Sequence, residues 1–508
     1  MTCSGTTARE TSHAAGVDGA ADGAVQRIDA LVRLYRTPRR VGSGRLPALL
    51  WLLGAVLLPT VLFTAVVQPL TPSRVARTSA GLIDELPVWS WLADLPWPVP
   101  SGTALALALF AVSGCAFLAY ALAIVACWGR APSRRALTAV LVPAAVLLTV
   151  SALALPTQSS DMIDYVLSGR VAAAHGASPY DVPPDAFPDD PLLPYASGTY
   201  TDDAEQKPPI WIAAAVGLAA IGGDDPAVVI LVLRLTFLAL TFLNLGLIAA
   251  VLQRWRPRHL LAGLVLYGWS PIIALHGQAK FDTLMATFAL VAALLLVTRR
   301  SQGVIPVLWM SVLVKVLTLP LLATYVLGEA SARRWRGLLA GTAISGLVTV
   351  IAYLPFGGSP TMIVEHLGLA ERGGSSLPGI GRPFVVVAVA ALVARVGFTS
   401  RGDPERLLQG WALVSLGLIM LTPIGWAWYL ISPLAIVSLS GERWRTVTVV
   451  TLSALAFVTD LWLRSSGPRS NLPDPGVSRS VAYSLALVAI GALAVVLVLA
   501  YRRRSAPA

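Results

Sequence analysis

The chain has 508 residues, 56% of them hydrophobic and only 13% charged, against about 25% charged in an ordinary soluble domain. That composition excludes a water-soluble globular enzyme and points to an all-α polytopic membrane protein. The formal charge of +11 does not point to nucleic acid, because no basic domain or aromatic-interleaved basic stripe carries it.

The charge reads instead as a topology signal. Of 38 basic residues only Lys207, Lys280 and Lys315 are lysines. The arginines cluster in short tracts between apolar runs, where the positive-inside rule places cytoplasmic loops. Cys3, Cys115 and Cys127 are too few and too badly placed for a disulfide framework.

In chain order, residues 1–45 form a polar, Ala- and Gly-rich tail ending in a basic region, expected to be disordered and cytoplasmic. The membrane domain runs over residues 46–501, followed by a short cytoplasmic tail at 502–508. Leu46 to Gln68 crosses outward, Gly102 to Trp128 returns, and Leu137 to Pro156 crosses again. An external loop over 157–226 then carries the densest Asp, Pro and Tyr content, too long for a plain connector. Within it, Pro209 to Gly223 reaches only ~22 Å as a helix, short of the ~30 Å hydrocarbon core, and is expected to lie as a juxtamembrane helix.

Ala227 to Gln253 returns inward, Leu260 to Leu275 goes out and Thr283 to Val297 comes back. From Val304 to Leu327 the chain is apolar except for Lys315, and arginine tracts flank both ends. One crossing cannot satisfy both, so two half-length segments of ~18 Å each are expected, forming a hairpin with Lys315 and Pro320 near its turn. A single span with a rule-breaking loop is the alternative. Gly337 to Pro355 leads to a second external loop, Gly358 to Arg382. The later runs, Pro383 to Val396, Leu407 to Leu421, Leu430 to Leu439, Thr446 to Leu463 and Val481 to Tyr501, complete about twelve spanning helices plus the hairpin.

No P-loop, HExxH, GxSxG or Cys/His ligand spacing is present, so signatures for nucleotide hydrolysis, zinc chemistry and serine acyl transfer are missing. Reactive polar residues gather on the predicted outer side. Asp161, Asp164 and Tyr165 follow the third span, with Asp161 and Tyr165 on one helix face at i, i+4 spacing. A carboxylate at the mouth of a helix bundle is partly desolvated, which raises its basicity. The alternative for Asp161 is a helix N-cap beside Ser159 and Ser160.

The string D-x-x-x-Y-x-x-x-G-R from Asp161 to Arg170, G-x-x-P-Y ending at Tyr180, P-P-I-W at Pro208 to Trp211, W-S-P at Trp269 to Pro271, G-Q-x-K-F-D at Gly277 to Asp282, V-K-x-x-x-L-P at Val314 to Pro320 and the late Trp428-Tyr429 occur in order. Together they resemble the GT-C superfamily of polyprenyl-phosphate-dependent glycosyltransferases, most closely the actinobacterial α-mannosyltransferases that build lipomannan and phosphatidylinositol mannosides. The resemblance covers roughly Leu137 to Leu439. It implies a GT-C-like bundle and an inverting transfer of a sugar, mannose first, from a polyprenyl-phosphate donor to a glycolipid or lipoglycan acceptor on the extracytoplasmic side of the cell membrane. It also implies an acidic base, which maps onto Asp161, with Asp164 second. Two departures stand out: two additional N-terminal spans, and Lys280 where relatives often carry a histidine.

Such a donor brings its own leaving group, so the enzyme needs a base and positive charge for the departing phosphate, without a cofactor or an obligatory general acid. Lys315, a costly intramembrane charge, is the expected phosphate ligand, with Arg170 as helper; a lipid-headgroup contact is the alternative for Arg170, and snorkelling or pairing with a structural acid is the alternative for Lys315. Gln278, Lys280 and Asp282 are expected to contact sugar or phosphate, or else Asp282 caps the next helix and pairs with Lys280. His366 is a candidate for orienting the acceptor hydroxyl, and Tyr165 and Asp164 for substrate contact. Lys207 anchors the juxtamembrane helix. Trp426, Trp428 and Tyr429 read most simply as an interfacial aromatic belt. The acidic set Asp185, Asp189, Asp190, Asp202 and Asp203 reads as a solvated loop, not a metal site. A transporter or flippase of lipid-linked sugars is the competing class, for which charges spread along a path and repeated halves are the expected marks.

Overall fold

The computed structural model describes residues 45–67, 103–154, 161–196, 201–205, 207–357, 381–421 and 426–466. Apart from Arg45, Gly381 and Arg382, which begin helices, the expected tails and the second external loop with His366 lie outside them, as does the last predicted span at 481–501. Among the described residues helices are the regular structure, with no strand.

Three apolar helices open the bundle: α1 (Arg45–Val67), α2 (Thr103–Cys127) and α3 (Arg134–Leu153), with α1 packed on both others. Ser133 starts α3 by accepting from the backbone N–H of Ala136 at 3.2 Å, a hydroxyl N-cap. After the segment preceding it comes α4 (Asp161–Ala173), whose long partner in the fold is α5 (Pro209–Gly222). The two approach closely at Gly169, where an added Cβ would meet the carbonyl oxygen of Ala215 at 2.2 Å. Asp225 then caps α6 (Pro226–Trp255) through the N–H groups of Ala227 and Val228.

The predicted span at 260–275 is instead two short helices, α7 (Leu260–Gly268) and α8 (Pro271–His276), both wholly buried. The break falls at Trp269-Ser270-Pro271, because proline disfavours helix in the residue before it and can begin a new one. Trp269 holds the break by donating its indole N–H to the Val140 carbonyl at 2.9 Å. This segment is bundle core, enclosed by α2, α3 and α6.

α9 (Asp282–Val297) leads to α10 (Val304–Val312), an extended Lys315 (φ −160°, ψ 131°), a short turn at Val316–Thr318 and α11 (Leu319–Ser331). Two half-length helices therefore replace one span. Tyr325, midway along α11, donates to the Ser301 carbonyl just before α10 at 3.1 Å, so α11 runs back beside α10 with Lys315 near the apex. The bundle closes with α12 (Trp335–Tyr353), α13 (Gly381–Ser400), α14 (Pro404–Leu421), α15 (Ile431–Val437) and α16 (Arg443–Ser466).

Four helical stretches, Phe110–Cys127, Arg134–Leu153, Pro226–Trp255 and Trp335–Phe356, are long and apolar enough among the described residues to cross a membrane, where the sequence suggested about twelve. Shorter or broken apolar helices fill the rest. The arginine tracts meet at one end of the bundle: Arg256 bonds Glu405 at 2.8 Å and the Ser440 carbonyl at 2.6 Å, and Arg334 bonds Glu329 at 3.0 Å and the Gly402 carbonyl at 3.4 Å. At this end Arg299, Arg333 and Arg401 take left-handed φ angles of 59°, 59° and 47° just past α9, α11 and α13. Cations there also complement the helix dipoles.

Candidate active site

The first residue of α9 lies at the other end of that helix, about 24 Å from the arginine tracts over its 16 residues at 1.5 Å per residue. Here all three lysines of the chain converge. Lys280 and Lys207 each hold Nζ 5.5 Å from the centre of the Tyr165 ring, and Lys280 donates to the Tyr165 hydroxyl at 3.3 Å. Lys315 bonds Asp282 at 2.8 Å and lies 5.0 Å from the Phe281 ring.

Aromatic rings wall the cluster. Nζ of Lys280 sits 3.8 Å from the Trp428 ring centre and Nζ of Lys315 sits 3.9 Å from that of Tyr429. Cations over ring faces are stabilised by the ring quadrupole, most strongly where water is scarce. Trp426 stacks on Trp428 at 4.9 Å and 15°. Trp428 and Tyr429 are therefore partners of the lysines, a role the belt reading did not provide. On the inner side Tyr165, Trp211 and Phe281 pack edge-on or tilted at 5.0 to 5.4 Å.

The connector that supplies Gln278, Lys280 and Asp282 is a tight turn. Ala279 N–H bonds the His276 carbonyl at 3.1 Å, and the Thr283 hydroxyl closes it on the Gly277 carbonyl at 2.8 Å. Asp282 does not cap α9: Phe281 is the N-cap residue and makes no side-chain cap, while one Asp282 oxygen takes Lys315. Among the described residues the other, Oδ2, has no hydrogen-bond partner, and neither has either amide atom of Gln278; both residues are buried.

α4 brings Tyr165 to this cluster and begins at Asp161, one helical turn before Tyr165; Asp164, next to Tyr165 in the chain, is buried. The side chain of Asp161 is outside the described residues. Arg170, on the same helix, is not brought to the lysines. It is buried and spoken for, bonding Asp190 at 2.8 Å, Asp224 at 2.8 Å and the Gly223 carbonyl at 2.6 Å. His175, stacked on Phe187, adds a bond to Asp190 at 2.8 Å. Burial alone would raise the Asp190 carboxyl, but the hydrogen bonds from Arg170, His175 and the Leu192 N–H, with the Arg170 charge, hold it below the usual aspartate value. One member of the acidic loop set is thus a structural clamp.

Two residues that sequence reasoning passed over matter here. Glu205 bonds Lys207 at 2.9 Å and accepts from Ser168, linking the approach to α5 with α4. Its burial would raise the carboxyl; the Lys207 charge and the bonds from Ser168 and Lys207 outweigh that and lower it. The E-x-K spacing beside Pro208-Pro209 was the available signal. Arg234, buried inside α6, donates to the carbonyls of Ala152 at 2.6 Å and of Ser151, capping the end of α3 that leads toward Asp161. A charge within an apolar run, the criterion that picked out Lys315, would have found it.

Apolar helices enclosing a lysine-rich, aromatic-walled cluster at one end define a membrane-associated protein with a polar, anion-attracting site. Residues 71–331, just over half of the chain, match the alpha-(1->6)-mannopyranosyltransferase, N-terminal domain, of the MptA_B family. The chain belongs to this family of mannosyltransferases and is accordingly a glycosyltransferase. No curated protein and no solved structure matches it.

Proposed function

We propose that this chain is an inverting mannosyltransferase that uses polyprenyl-phosphate mannose and a lipid-linked glycan acceptor at the extracytoplasmic face of the membrane. The observation that carries the reading is the meeting of Lys280, Lys315 and Asp282 with the helix that begins at Asp161. In the transfer, the bond from the sugar's anomeric carbon to the phosphate oxygen breaks as the acceptor oxygen attacks from the opposite side. Asp161 takes the acceptor's proton, and the lysines stabilise the charge collecting on the departing prenyl phosphate. No cofactor is needed.

Charge supports this sidedness: the arginine tracts gather at the far end of the bundle, the end the positive-inside rule assigns to the cytoplasm, and the lysine cluster is at the opposite end. Reactive charges gathered at one end suit an enzyme better than a transport path.

The test is transfer of labelled mannose from polyprenyl-phosphate mannose to a lipoglycan acceptor by membranes holding the wild type or Asp161→Asn at equal protein level. Transfer by the wild type and near-total loss in the variant are expected. An undiminished variant removes Asp161 from the mechanism, and an inactive wild type removes the donor class.

A further inference from the structure

The lysines account for a phosphate, but not for the buried polar groups left between them. Gln278 is fully buried and, among the described residues, neither its amide oxygen nor its amide nitrogen has a partner; Asp282 is 1% exposed and its Oδ2 is likewise unmatched there. Both stand in the connector that also holds Lys280. Leaving a buried donor or acceptor unmade costs on the order of 1–3 kcal/mol each, so three such atoms in one turn are a standing expense that a bound group would relieve. The required group must both donate and accept, since an amide offers one of each and a carboxylate only accepts. A phosphate only accepts at neutral pH and is repelled by Asp282. A sugar hydroxyl does both.

We infer that Gln278 and the free oxygen of Asp282 read hydroxyls of the transferred hexose, making Gln278 a specificity-determining residue of this enzyme. The inference rests on the donor class proposed above. Lys315 divides the work: it neutralises Asp282 through Oδ1, leaving Oδ2 for the ring, and is the cation proposed above for the phosphate of the same donor. A site built to bond a hydroxyl rejects the analogue lacking it, because the protein's own polar group is then stranded.

The experiment compares polyprenyl-phosphate mannose with its four monodeoxy analogues, at positions 2, 3, 4 and 6, as donors for the wild type and for Gln278→Leu. The wild type should disfavour at least one deoxy donor by about tenfold or more in kcat/KM. Gln278→Leu should lose efficiency with mannose yet treat that deoxy donor and mannose nearly alike. Its melting temperature should equal or exceed that of the wild type, because a stranded amide has been replaced by an apolar group of similar size. Gln278→Met repeats the measurement should leucine pack poorly. A wild type that transfers, with both variants keeping its deoxy profile, overturns this inference alone. A wild type that transfers from none of these donors overturns the donor class as well.

Discussion

Lys315 spans 33 positions of sequence to place Nζ 2.8 Å from Oδ1 of Asp282, tying the apex of the α10–α11 hairpin to the first turn of α9. With the two side chains 18% and 1% exposed, the pair is largely withdrawn from water. Removing one member of such a pair strands the other's charge and costs about 3–5 kcal/mol, more than the pair is worth as a unit. Lys315→Met should therefore lower the unfolding midpoint in detergent markedly, and adding Asp282→Asn should recover much of the loss. Thermal denaturation of the two single variants and the double variant measures this; strictly additive losses would show that the residues are not coupled. All three proteins should be defective in transfer.

Gly169 lets α4 lie against α5, and its missing side chain is the reason the two can touch. With a Cβ 2.2 Å from the Ala215 carbonyl oxygen, Gly169→Ala must push the helices apart, an overpacking strain of about 1–3 kcal/mol. The displaced helix also carries Asp161 and Tyr165. Transfer assayed well below the variant's melting temperature should fall at least tenfold, since ~1 Å of misplacement at reacting groups is costly. Activity that merely follows the folded fraction would contradict this placement.

The legible part of this molecule was its apolar periodicity and its rare charges. Helix ends at Leu153, Trp255 and Val297 fall within a few residues of the runs read from sequence, because each run is bounded by proline, a cap or an arginine tract. The hairpin was legible from the arginine tracts at both ends of the 304–327 run, which a single crossing cannot satisfy, and Lys315 falls near its turn because the extended backbone there breaks the helix. What could not be read was partnership over distance. Nothing local says that Asp282 bonds a lysine on the next hairpin rather than its own N-terminus, or that Trp428 and Tyr429 lie on Lys280 and Lys315. The split of 260–276 was signalled by Ser270-Pro271 but hidden by unbroken hydrophobicity, since a core helix and a lipid-facing one have the same composition. Arg170 looked available because its acids, Asp190 and Asp224, are 20 and 54 residues away.

The Glu205 carboxyl sits below the usual glutamate value in the folded chain, so its ionised form favours folding. That contribution is complete above the unfolded value of about 4.5, shrinks as pH falls through the folded value, and is gone below it. The melting temperature of the wild type should accordingly drop more steeply on acidification below about pH 4.5 than that of Glu205→Gln. The variant should be the less stable protein at neutral pH, with the two curves converging in acid. Parallel curves across this range would mean that Lys207 and Ser168 do not hold the carboxylate.

Arg170 separates a structural cation from a phosphate ligand by measurement. Its guanidinium is shared among Asp190, Asp224 and the carbonyl of Gly223, a left-handed residue (φ +66°) that ends α5. Arg170→Met would leave the buried Asp190 only His175 and the Leu192 N–H and release the loop from α4 and α5, while leaving Lys280 and Lys315 in place. Destabilisation on the order of 3 kcal/mol is expected in thermal unfolding, with added protease sensitivity between residues 181 and 205. On the donor class proposed above, inhibition by prenyl phosphate should keep its wild-type constant at temperatures where the variant is folded. Lys315→Met should instead weaken that inhibition at least tenfold. If Arg170→Met weakened it equally, the guanidinium would have to leave Asp190 for the phosphate during turnover, and the clamp would be part of the reaction cycle rather than its scaffold.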